Sequence, residues 1–231
     1  MNFGLFACRG HYRLAKRVWR SGIRTGCLIG LTGSLISCAS IPDPALIALL
    51  PAGGGGTTTP AVTARDTAGV LLVRRLNIPE YMMSRRVRFW ADTGYLAEWP
   101  NTYWAERIET GMAREFVAAV RDQLHEWTIC DATCGEMKPG VIVKVDLIRL
   151  DVVRGEARIK ATAEIRVATA LTSPPTPTAT NESSLNSLFS VPIAADTAQG
   201  QAQAMAVLLQ ELARASATAI LSSGTPPVAH P

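Results

Sequence analysis

The strongest patterning of apolar and polar positions runs from residue 141 to residue 167. Val141, Val143, Val145 and Leu147 alternate with Ile142, Lys144, Asp146 and Ile148. Ala157, Ile159, Ala161, Ala163, Ile165 and Val167 then alternate with Arg158, Lys160, Thr162, Glu164 and Arg166. A period of two places one set of side chains on a buried face and the other on a wet one. With Arg154-Gly155 as the turn, the two runs predict an antiparallel hairpin. A period near four appears earlier, where Trp104, Ile108, Met112, Phe116, Val120, Leu124 and Trp127 form one stripe. That stripe predicts a helix over 104–127, capped by Asn101 or Thr102, with Arg107, Thr110, Arg114 and Asp122 on its wet side. Shorter signals predict a buried strand at Val70–Val73, a turn at Ile78-Pro79, a strand carrying Val87 and Phe89, and a turn at Asp92-Thr93-Gly94. Leu185 to Ala194 reads as a last strand, with Leu188 or Phe189 and Val191 inward. Asp196 or Thr197 opens a final helix whose apolar side is Met205, Leu208, Leu209, Leu212 and Ile220.

The order of elements predicts an α/β (α+β) two-layer sandwich, a mostly antiparallel sheet with two helices packed on one face. One domain over 67–222 accommodates it, with a mobile proline- and threonine-rich loop at 171–184 and a flexible tail at 223–231. Between 38 and 66, Pro42, Pro44, Pro51, Gly53 to Gly56 and Pro60 argue against a regular element. The stretch Ala39 to Arg65 reads as a flexible tether of about 27 residues with a root-mean-square span of roughly 30 Å. The apolar patch Ala45 to Leu50 inside it reads either as a helical turn resting on lipid or as chance.

Charge changes the picture at the amino end. Arg9, Arg13, Lys16, Arg17, Arg20 and Arg24 precede the apolar run 27–37, and no acid lies among the first 37 residues. A basic lead, a short apolar run and a small-residue cut site are the parts of a secretory signal, and the run is too short for a permanent span. Removing it takes six of the 23 basic residues and none of the 19 acidic ones, so the remaining 194 residues carry about two net negative charges. A nucleic-acid reading loses its basis with that subtraction.

A cysteine after Leu35-Ile36-Ser37 is by itself as compatible with a core position as with processing. Behind this signal, Leu35, Ile36, Ser37 and Cys38 resemble the bacterial lipoprotein lipobox, whose cysteine is acylated and becomes the new amino terminus. Ala39, where an aspartate would retain a lipoprotein in the inner membrane, implies by the same resemblance an outer-membrane, periplasmic-face destination. A second resemblance lies in the domain. Ile78-Pro79-Glu80-Tyr81, Arg85-Arg86-Val87, Trp99 and Trp104-Ala105-Glu106-Arg107-Ile108 resemble the ABC-type transport auxiliary lipoproteins (PqiC/YmbA-like), with Met82 where that family usually has leucine. The resemblance implies an α/β sandwich and a non-enzymatic accessory subunit of an intermembrane lipid-transport system. Its implied partners are the outer membrane, through acyl chains, and an MCE-domain periplasmic protein, with homo-oligomers suggested by relatives.

Residues 81–104 hold seven aromatic side chains. Two readings stand for them: a corner of the core, favoured for Phe89 and Trp104, or a partner surface, for which Tyr95 and Trp99 are the candidates. Cys130 and Cys134, the remaining cysteines after the signal, are a candidate disulfide in an oxidising compartment. A metal site would need further ligands, and His125 is the one imidazole within the domain. No Gly-x-Ser-x-Gly elbow, phosphate loop or His-Glu-x-x-His occurs, so the chain offers no catalytic constellation and implies no cofactor. Two other functions stay open: an envelope-assembly lipoprotein that binds lipid or glycan in its own pocket, and a hydrolase using His125.

Overall fold

A computed structural model describes residues 43–50, 69–91, 94–169 and 182–223, all within the compact unit Ile41–Pro231. The signal 1–37, Cys38, the glycine-rich stretch 51–68, Asp92 and Thr93 of the turn expected at 92–94, residues 171–181 of the loop expected at 171–184 and the tail from 224 lie outside the described residues. The elements run β1 (Ala45–Ile47), β2 (Gly69–Val73), β3 (Arg86–Trp90), β4 (Leu96–Trp104), α1 (Ile108–Gln123), β5 (Trp127–Asp131), β6 (Val141–Val153), β7 (Arg158–Thr169), β8 (Glu182–Pro192) and α2 (Ala198–Ser222).

The expected hairpin, β6 and β7, is the spine of the sheet. It is antiparallel from Val141↔Thr169 to Val153↔Arg158, and β8 extends it on the far side of β7. The other edge of β6 carries two separate wings. At its amino end Val141–Val143 pairs in parallel with Leu71–Val73 of β2, which in turn pairs with β5. At its carboxyl end Val153 pairs with Trp90 of β3, which leads through β4 to β1. The long ladders are antiparallel and the short ones parallel, apart from the antiparallel β3–β4 pair, so the sheet is mixed within the expected sandwich. A β-bulge between Leu147 and Arg149 shifts the alternation by one. Val141, Val143, Val145 and Leu147 face the core before it, and Leu150 and Val152 after it. An extra residue on one strand has this effect because side-chain direction has a period of two.

Helices α1 and α2 pack on each other, and their buried sides share one core with the inward side chains of the sheet. Met112, Phe116 and Val120 of α1 meet this core, as do Met205, Leu208, Leu209 and Leu212 of α2. By length and hydropathy α2 would reach across a membrane, but 56% of its most apolar window is buried. Its apolarity is that of a core helix. Thr197 caps it, accepting the Gly200 N–H at 3.0 Å through Oγ1. Gly200 belongs there for a second reason: a Cβ would stand 2.3 Å from the Ala195 carbonyl oxygen.

Three expectations change. The helix expected over 104–127 is shorter, Ile108–Gln123, because Trp104 ends a strand and Trp127 begins one. Each tryptophan meets the packed layers from a strand, so both continue the four-residue stripe without being helical. Arg107 takes the cap position and makes no side-chain cap bond. Asn101 instead adopts a left-handed φ of 47° within β4, and Thr102 donates to the Pro100 carbonyl. The loop expected through residue 184 ends earlier, since Glu182–Ser184 already pairs with β7. The tether is interrupted too: Ala45–Ile47 pairs in parallel with Thr102–Trp104, and Ile47 and Leu49 are buried. The patch Ala45–Leu50 is thus a sheet edge, with Ile47 and Leu49 packed inward.

Candidate partner-binding surface

The aromatic-rich segment becomes the β3–β4 hairpin and the turn before it, and its side chains divide between the two faces of the sheet. On the helix-covered face the Phe89 and Trp99 rings lie 5.0 Å apart at a tilt of 50°. Trp99 Nε1 donates to Gln201 Oε1 at 2.9 Å, and Gln201 Nε2 donates to the Arg88 carbonyl at 2.8 Å. Gln201 is 1% exposed, so this chain of bonds satisfies a buried amide while it fastens the hairpin to the first turn of α2. The Arg154 guanidinium stands 4.6 Å from the Trp99 centroid and 5.2 Å from that of Phe89. It also donates to both Asp196 carboxylate oxygens, at 2.7 and 2.8 Å. Those bonds hold the Asp196 carboxyl below its ordinary pKa.

Behind this arrangement lies a cavity of about 20 Å³ lined by Phe89, Trp99, Val152, Arg154 and Gln201 among others, room for about one water. In front of it, Phe89, Ala91, Tyr95, Ala97, Arg154 and Asp196 border an open groove of about 350 Å³. Tyr95 is 60% exposed at its rim.

On the other face, Asp151 collects three donors. The Tyr81 hydroxyl reaches Oδ1 at 2.9 Å, Trp90 Nε1 reaches Oδ1 at 3.1 Å, and Arg149 Nη2 reaches Oδ2 at 2.6 Å. The Tyr81 hydroxyl also accepts the Leu150 N–H at 2.9 Å. That N–H lies between the points where β6 meets Asn77 and Trp90. Tyr81 therefore supplies a partner that neither wing of the sheet provides. Burial pushes its hydroxyl pKa up, helped by Asp151, and the Leu150 bond only partly offsets this.

Of the residues singled out in the sequence, Tyr95 and Trp99 come together on one hairpin, but in different settings. Tyr95 is open, whereas Trp99 is half-buried with its indole N–H engaged in the core. Cys130 and Cys134 are disulfide-bonded, Cα–Cα 5.0 Å, at the end of β5 in the other wing. His125 is exposed in the turn between α1 and β5. No group of three metal-ligating side chains occurs among the described residues. Sequence reading missed Arg154, Gln201 and Asp151. Tyr81 stood inside a quoted motif without a role.

An aromatic hairpin pinned by satisfied polar groups, with a small cavity and an open groove beside it, is thus carried on an α+β sandwich. The chain belongs to the family of ABC-type transport auxiliary lipoprotein components, whose model matches residues 54–217. Membership agrees with the resemblance carried by Ile78–Tyr81 and Trp104–Ile108, and it implies association with an ABC transport system and a place in the cell envelope. No curated protein matches the chain. Crystal structures share the fold, among them two at low identity. One, of an uncharacterized protein, has a TM-score of 0.59 at 11% identity and covers 78% of this chain and 99% of its own. The other, of protein XCC0632 from Xanthomonas campestris in the family DUF330, has a TM-score of 0.54 at 15% identity and covers 78% and 95%.

Proposed function

We propose that this protein is a non-enzymatic, outer-membrane-anchored periplasmic lipoprotein that serves as accessory subunit of an ABC/MCE-type intermembrane lipid-transport system and docks its MCE-domain protein. The family match over residues 54–217 carries the reading. Cys38, freed by cleavage after Leu35-Ile36-Ser37, holds the acyl chains, since two or more chains give stable anchoring where one gives marginal binding. The docking surface is the β3–β4 hairpin, with Tyr95 at the rim of the groove and Trp99 holding the hairpin to α2. Exposed tyrosine beside a pre-oriented arginine, here Arg154, is the composition that dominates binding energy at interfaces. Several copies around one partner would multiply that grip. Binding of lipid in an internal pocket fits less well: the cavity lined by Phe89 and Trp99 is about 20 Å³, and the spaces that reach the roughly 300–1,000 Å³ of a ligand site, about 350 Å³ beside Tyr95 and about 520 Å³ beside Trp90 and Asp151, are open grooves that would leave an acyl chain largely in water.

The test is affinity capture of a tagged chain from crosslinked membranes, beside Cys38→Ala and Tyr95→Ala. The acylated protein should recover an MCE-domain protein, Cys38→Ala should lose it, and Tyr95→Ala should reduce it. Recovery of outer-membrane assembly factors alone, or of nothing, would overturn the MCE assignment.

A further inference from the structure

Strand β1 lies upstream of the residues matched by the family model, and it changes the geometry of anchoring. Had the whole of 38–66 been a free tether, the domain would stand well away from lipid. Because Ala45–Ile47 is locked into the sheet, the chain has seven residues, from Cys38 to Ala45, in which to reach from the acylated cysteine to the fold. Seven residues span at most about 25 Å. That is less than the roughly 40 Å breadth of a compact domain of this size. The β1 edge is therefore the part of the domain that acyl chains on Cys38 would hold against the bilayer.

The chemistry of that edge fits a lipid surface. Leu46 is 64% exposed and Leu50 63% exposed, while their neighbours Ile47 and Leu49 are buried at 8% and 3%. Register carries the pattern across the outer face, for Leu46 pairs with Tyr103 and Tyr103 with Arg86. The Arg86 guanidinium lies 5.3 Å from the Tyr103 centroid and also meets Glu98 at 3.4 Å. An apolar tip, then an aromatic ring, then a cation is the order in which side chains cross from hydrocarbon into headgroups.

We propose that the β1 edge is a membrane-contact site at which Leu46 and Leu50 enter the phospholipid surface, with Tyr103 and Arg86 at headgroup level. The inference rests on the lipoprotein reading of Cys38. It assigns Leu46 to lipid, separate from the groove bordered by Tyr95.

The test uses the acylated protein as it begins at Cys38, purified from membranes and reconstituted into phosphatidylethanolamine–phosphatidylglycerol vesicles. An environment-sensitive fluorophore is placed at Leu46→Cys, at Leu50→Cys or, as control, at Leu188→Cys on β8, where the native side chain is 84% exposed. Labels at 46 and 50 should show blue-shifted emission and be quenched by nitroxide-bearing phospholipid. The label at 188 should be quenched by aqueous iodide alone. Protein that floats with vesicles while 46 and 50 behave like 188 would overturn this inference and spare the anchor. A label at 46 shielded from both quenchers would assign the edge to protein contact, overturning it as well. Protein that fails to float at all would overturn the anchor and the inference together.

Discussion

Replacing Tyr81 with phenylalanine removes one oxygen and keeps the ring, which isolates what that oxygen does. Two bonds are lost: the Leu150 N–H to the hydroxyl, and the hydroxyl to Asp151, both 2.9 Å. Leu150 is fully buried, so its N–H finds no water, and an orphaned buried donor costs about 1–3 kcal/mol. Asp151 keeps Trp90 and Arg149, so the second loss adds about 1 kcal/mol. The expected destabilisation is about 2–4 kcal/mol, or a midpoint lower by roughly 4–16 °C for a domain of this size. Urea unfolding of non-acylated Cys38→Ala protein measures it, with Asp151→Asn and the double variant closing a cycle. Because both residues share one network, the double variant should cost less than the two single costs added together. A loss under about 0.5 kcal/mol, or strict additivity, would refute the role given to the hydroxyl.

Two further outcomes follow from local geometry. Gly200→Ala should destabilise by about 1–3 kcal/mol, since the added Cβ meets the Ala195 carbonyl at 2.3 Å; a thermal midpoint equal to that of the parent would disprove the clash. For Asp146, burial alone would raise the carboxyl pKa, but hydrogen bonds from Asn77, Arg166 and Lys144 outweigh it and hold it low. A depressed folded pKa contributes stability above the unfolded value of about 3.9 and loses it as pH falls through the folded one. Asp146→Asn should thus be less stable at pH 7 and lose less on acidification below about pH 4, read from urea midpoints across pH; parallel profiles would count against it.

Much of this architecture was legible because burial leaves a period. The β6–β7 alternation named both strands and their inward residues from Val141 to Leu147 and from Ile159 to Val167, but not Leu150 and Val152 beyond the bulge, and it set inward an Ala157 that lies exposed in the turn at φ 47°. Asp196 or Thr197 announced α2, and the structure gives the cap to Thr197, whose hydroxyl three residues ahead of Gly200 is a local device. Failures arose where the cause was distant. Trp104 extended the helical stripe because a strand end can present a tryptophan to the same core. Strand β4 went unseen since most of its residues are half-buried, and Pro100 and the left-handed Asn101 interrupt its alternation. Strand β1 is three residues set among prolines, and its partner Thr102–Trp104 lies far along the chain. At the candidate surface, composition found Tyr95 and Trp99 but not Arg154 or Gln201, whose roles arise from neighbours on other elements. Tyr81 could be quoted as part of a motif, yet nothing local reveals that its oxygen serves Leu150, 69 residues away.

The two wings hung on β6 also set a schedule for assembly. A chain crossing a membrane amino end first delivers β2 long before either of its partners, β5 and β6, and β1 before β4. Until Val141 emerges, Leu71 and Val73 have no spine to join, and non-local parallel pairing of this kind is slow to form. Under the proposed periplasmic function, a newly exported molecule would spend its first moments with unpaired apolar strands in the periplasm. Holdase chaperones there should find it a ready client, and its yield should fall more steeply than its equilibrium stability when they are withdrawn.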